Sequence, residues 1–132
     1  MPLIKNPDRQ WPLVAKVAFV QADVPTGIAV EAIDLPGGAV INGGAIVIET
    51  AGDSVTSDTL TIGDGTTADR YASVDAKAEG RTALTLDGIV NAIGKGAVVL
   101  TNTAAGTEGT AMVGYLEVQY TIDGRGNESQ PV

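Results

Sequence analysis

Alternation of apolar and polar residues runs through most of this 132-residue chain, and it predicts short strands rather than helices. The clearest stretch is Met112 to Ile122. Met112, Leu116, Val118, Tyr120 and Ile122 fall on one face, and Glu117, Gln119 and Thr121 on the other. Val14 to Val24 alternates well enough for a strand and ends at Pro25-Thr26-Gly27. Gly27 to Ile33 predicts a second, closed by Asp34-Leu35-Pro36-Gly37-Gly38. Ala39 to Thr50 is a third and is almost wholly apolar; its central Asn42-Gly43-Gly44 suits either a hairpin turn or a bulge in one long strand. Further strands are expected at Asp58–Ile62, Arg70–Val74, Arg81–Leu86 and Ala97–Leu100. Asp87 to Ile93 has an N-cap-like Asp and enough apolar residues for one helical turn, and Asn102 to Gly109 reads as a loop.

Composition agrees with that pattern. Val, Thr and Ile number 15, 14 and 10 against only 8 Leu, with 17 Gly to supply turns. About eight strands with short connections and no βα repeat predict a single all-β domain, a jelly-roll-like β-sandwich. An immunoglobulin-like sandwich is the alternative, without its Cys-Trp-Cys signature. Residues 1–12 differ: Pro2, Pro7 and Pro12 with no periodicity predict an extended arm ahead of a body at 13–123, and 124–132 read as a polar tail.

Charge and residue chemistry then narrow the function. Sixteen acids against eight basic residues give a net charge of -8, which argues against nucleic acid and anionic membranes as partners. Eight acids lie between residues 17 and 69 with no Lys or Arg among them, either a solvated acidic face or a match for a basic partner. No apolar run is long enough to span a bilayer as a helix, and residues 1–10 lack the apolar core of a secretory leader. Production in a cytosol is the simplest expectation.

The chain has neither His nor Cys, which removes Ser-His-Asp and Cys-His catalysis and the usual imidazole and thiolate metal sites. Ser54, Ser57 and Ser73 have no base nearby in sequence. Gly63-Asp64-Gly65 is not followed by a helix, so it reads as a turn and not a nucleotide loop. Asp64 and Asp69, with Thr66 and Thr67 between them, offer hard oxygens for Ca²⁺ but lack the EF-hand spacing. No catalysis, cofactor or tightly held metal is therefore expected. Trp11, the only Trp, suits either a plug over the end of the core or an anchor in an interface. Leu3, Ile4, Trp11 and Leu13 are the candidate contact residues.

The succession Asp34-Leu35-Pro36-Gly37-Gly38-Ala39-Val40-Ile41, then Leu60-Thr61-Ile62-Gly63-Asp64-Gly65, then Asp69-Arg70-Tyr71 resembles small structural proteins of tailed bacteriophages. Over roughly residues 13–122 the chain looks like the head decoration, or cement, proteins. Their jelly-roll subunits sit as oligomers, often trimers, on the outside of the capsid. The resemblance implies a virion protein that binds the major capsid protein shell and itself, as a homotrimer, and makes or breaks no bond. It carries no residue-level binding motif. The apolar Ala39–Ile48 segment adds to the expectation of self-association, because at a sheet edge it would lack a solvent face. A carbohydrate- or receptor-binding jelly-roll module is the rival reading, and aromatic residues gathered in a concave site would favour it.

Overall fold

The computed structural model describes residues 11–86 and 97–122. They form eight strands: β1 (Leu13–Val20), β2 (Ala29–Asp34), β3 (Ala39–Thr50), β4 (Ser57–Gly63), β5 (Ala72–Asp75), β6 (Gly80–Ala83), β7 (Ala97–Ala105) and β8 (Val113–Ile122). All pairing is antiparallel: β1 with β8, β2 with β7, β3 with β6 and β8, β4 with β5 and β7. Four of these pairs join strands whose numbers add to nine, which is what a long hairpin gives when it is rolled up. Its rungs fall alternately into two sheets, ordered β1-β8-β3-β6 and β2-β7-β4-β5. That is the jelly-roll sandwich the strand pattern predicts.

The core lies between the sheets and follows the pleat. Phe19, Ile46, Ile48, Leu116 and Val118 come from the β1 sheet, and Ile33, Leu60, Ile62, Val98 and Leu100 from the β2 sheet. β3 keeps its expected bounds but not its expected place: it pairs with β8 on one side and β6 on the other. Ala39–Ile48 is apolar because it is interior, so it gives no reason for a subunit interface. Asn42-Gly43-Gly44 is a bulge and not a turn, since the register with β8 slips between Ile41 and Gly43. Gly44 has φ of +134°, and a Cβ there would collide with the Glu117 carbonyl, so the bulge requires glycine.

Two strand ends differ from the sequence pattern for one shared reason. β1 stops at Val20, and Gln21–Asp23 form a 3₁₀ turn, whose Asp23 carboxylate accepts the Val20 N–H at 3.0 Å. β7 runs on to Ala105 through residues expected in a loop, with Asn102 fully buried. Gln21 and Asn102 are both polar residues turned inward, and both go to the same carboxylate (below). The helical turn expected at Asp87–Ile93 lies outside the described residues.

Candidate functional site

At one end of the sandwich a buried cluster draws together four of the connections between strands. Asp58, at the start of β4, is completely buried along with Asn102, and Ser54 and Gln21 are nearly so. Asp58 Oδ1 accepts from Ser54 Oγ at 2.6 Å and from Gln21 Nε2 and Asn102 Nδ2 at 3.3 Å; Oδ2 accepts from the Ser54 N–H at 3.2 Å. Ser54 Oγ also accepts from the Gly109 N–H at 2.9 Å, and Lys77 Nζ donates to the Ser54 carbonyl at 2.7 Å. Beside them, Asp53 Oδ1 accepts the Thr110 and Ala111 N–H groups at 2.7 and 3.0 Å. The β1–β2, β3–β4, β5–β6 and β7–β8 connections are thus tied together through Asp53, Ser54 and Asp58. Contrary to the sequence expectation, the Ser54 hydroxyl does meet a carboxylate four residues on, but both side chains are buried and the contact is one of several holding loops, so the arrangement is that of a clamp. Gly52 completes it, because a Cβ there would strike the Asp58 carboxylate.

These carboxylates are tuned toward ionisation. Burial pushes the Asp58 pKa up, but the hydrogen bonds from Ser54, Asn102 and Gln21 outweigh it and the net shift is downward. Asp53 is lowered chiefly by the Ala111 and Thr110 amides. Asp64 is raised by burial and lowered further by the Thr67 and Thr66 amides and by Arg70, for a net downward shift. A carboxylate whose pKa is lower folded than unfolded contributes its full stabilisation above the unfolded value and loses it as pH falls through the folded one. Stability should therefore be level above about pH 5 and decline below about pH 4. Urea midpoints taken from pH 7 down to pH 2.5 test this, and a midpoint unchanged at pH 3 would refute it.

At the opposite end the chain places Trp11 and Leu13. Leu13 is half-buried and pairs with Tyr120, which packs on the core. Trp11 is 65% exposed, which removes the reading of a plug over the core. β8 ends here too, with Ile122 beside Ala39, so residues 1–10 and 123–132 both join the body at this end. Leu3 and Ile4 lie outside the described residues.

Asp64 serves its own turn. Its Oδ1 accepts the Thr66 and Thr67 N–H groups at 2.8 and 2.7 Å, and its Oδ2 faces Arg70 Nε at 2.6 Å. The loop folds close over β4, leaving no room for a Cβ at Gly63. It also bounds a cleft of about 270 Å³ on the outer face of the β2 sheet, lined by Ala29, Glu31, Thr66, Val99 and Thr101 among others, none aromatic. The described residues contain no group of three or more metal-ligating side chains.

The two outer faces are unlike. That of the β2 sheet presents Thr59, Thr61, Thr101, Thr103, Ser73, Glu31 and Asp75. That of the β1 sheet carries Val14, Ala18 and Val20, opposed by Gln119, Tyr115 and Val113, with Lys16 placed 4.1 Å from the Tyr115 ring centroid. Composition alone does not reveal this division; the register does.

The comparisons agree with an eight-stranded jelly roll. No protein-family profile matches the chain, and no curated protein does. Among solved structures it is similar to a chain of the acid-stable capsid of Helicobacter pylori bacteriophage KHP30 (17% identity, TM-score 0.64, covering 84% of this chain and 87% of that one). A chain of the cyanophage Pam1 capsid asymmetric unit matches with 20% identity and a TM-score of 0.59, over 92% and 91%. A chain of the Ralstonia phage GP4 capsid matches with 17% identity and a TM-score of 0.66, over 92% and 90%.

Proposed function

We propose that this protein is a non-enzymatic component of a bacteriophage virion, a decoration or cement protein that binds the outside of the assembled capsid and stabilises it. The observation that carries the reading is the likeness, over 84–92% of the chain, to chains of three different phage capsids. The site chemistry supports it, since the most elaborate polar cluster ties loops together and keeps Ser54 and Asp58 buried. Binding the assembled shell in preference to its loose subunits stabilises the shell by mass action. Several copies engaging the shell together add avidity without new kinds of contact. The partners are the major capsid protein and the protein itself, and the place of action is the capsid exterior.

The rival carbohydrate-binding reading wants aromatic platforms in a concave site. Tyr71 and Tyr120 instead pack against the core, Tyr115 lies beneath Lys16, and the cleft has no aromatic lining. The deciding experiment is to add the purified protein to empty capsids that lack it. Saturable binding and a higher capsid disruption temperature are expected. Failure to bind, with free capsid subunits as the comparison, would remove the reading.

A further inference from the structure

β1 is an edge strand, and among the described residues no strand pairs with its outer side. Three of the four sheet edges are protected in ordinary ways. β5 and β6 are four residues long, and β2 has a register slip between Glu31 and Ile33 and carries Glu31 and Asp34. β1 instead runs eight residues in unbroken one-to-one register with β8, from Leu13 opposite Tyr120 to Val20 opposite Val113. Its sequence, Leu-Val-Ala-Lys-Val-Ala-Phe-Val, contains one charge, no proline and no glycine.

The hydrogen-bond phase is fixed at its end. The Gln21 N–H donates to the Met112 carbonyl at 2.8 Å, whereas the Val20 N–H goes to Asp23. Antiparallel ladders alternate, so odd-numbered residues of β1 bond to β8 and even-numbered ones turn their N–H and C=O groups outward. Among the described residues no strand meets those of Val14, Lys16 and Ala18, and all three residues are exposed.

We propose that β1 is the strand through which two copies of this chain pair, antiparallel about a two-fold axis, so that two β1-β8-β3-β6 sheets become one sheet of eight strands. A second copy is the occupant that the sequence of β1 fits in one register. Lys16 lies opposite Ala18 of the partner subunit, Val14 opposite the partner's Val20, and Val17 opposite the partner's Val17. Every facing pair on the outer side is then apolar or Lys–Ala, and on the inner side Ala15 meets the partner's Phe19. Sliding by two residues one way brings Lys16 against the partner's Lys16, a like-charge pair. Sliding the other way carries Val14 past the end of the partner strand. The outward-turned groups of Lys16 and Ala18 bond reciprocally, and isologous contacts of this kind close at two copies. The pairing does not depend on the capsid reading, and it replaces the trimer as the expected unit in solution.

Opposite charges placed at residue 18 test the register, because the position is exposed and its backbone N–H is not used within the subunit. Ala18→Lys sets a second cation against the partner's Lys16, twice per dimer, and Ala18→Glu sets an anion there. Sedimentation equilibrium at low salt should show a dimer for the parent. Ala18→Lys should weaken it and Ala18→Glu tighten it, each by about tenfold, with the circular dichroism spectrum unchanged. Amide exchange at Val14, Lys16 and Ala18 should slow in proportion to the dimer fraction. A monomer at all concentrations, or a dimer indifferent to both substitutions, would overturn the proposal. So would protection of those three amides that appears only on capsids, which would assign the edge to the shell protein instead.

Discussion

Asp58→Ala should lower the unfolding free energy by about 3–5 kcal/mol, the range for removing one partner from a buried charged network. The carboxylate is the sole acceptor described for the Gln21 and Asn102 amide groups, and it takes both the Ser54 hydroxyl and its N–H. Turning their NH₂ groups to Asp58 leaves the Gln21 and Asn102 side-chain oxygens buried without a protein partner, a cost borne only because the carboxylate outweighs it. Alanine would leave three side-chain donors facing a void in a fully buried site. Asp58→Asn keeps the shape but sets an NH₂ among donors, so it should lose about half as much. Ser54→Ala, which removes one hydroxyl and leaves the carboxylate with its other bonds, should cost about 1–2 kcal/mol. Urea unfolding at pH 7 measures all three. A loss below 1 kcal/mol for Asp58→Ala would mean that the loops at this end hold themselves.

The same residues explain what the sequence could not say. Strand alternation exposes which positions face the core, so β3, β4 and β8 are legible almost to their ends, and the jelly roll follows from their number and spacing. The clamp is invisible to that reasoning because its members are 37 and 44 residues from Asp58 in sequence, Ser54 excepted. Asn102 looks like a loop residue and Gln21 like the continuation of a strand, yet each turns inward to satisfy one buried charge. A sequence signal does exist in retrospect: Asp58 occupies an inward position in the alternation of Leu60 and Ile62, where a carboxylate must find donors. Ala39–Ile48 failed in the opposite way. Its composition shows that it is covered, but only the topology shows that its neighbours are its own strands.

Deleting residues 1–10 together with Trp11→Ala should leave the melting temperature of the body nearly unchanged and weaken capsid binding about thirtyfold per site, the usual scale for losing a buried interface aromatic. Trp11 is 65% exposed and makes no part of the core cluster, so the sandwich does not need it. Ten extended residues reach about 33 Å, further than the eight-residue strand that follows them. Pro2 and Pro7 disfavour a helix and remove backbone donors, and Leu3 and Ile4 are apolar residues in a segment too short for a core of its own. A segment of that composition gains most by lying against another protein, with Trp11 as the anchor where it meets the body and Leu13 holding the first paired rung behind it. The end of the sandwich where β1 begins and β8 ends is therefore expected to face the shell, and the end clamped by Asp58 to point away. Binding isotherms on empty capsids for the parent, the deletion and Trp11→Ala alone separate the contributions of arm and anchor. If the doubly altered protein binds as tightly as the parent, the arm makes no contact with the shell, and attachment must run through the sandwich faces.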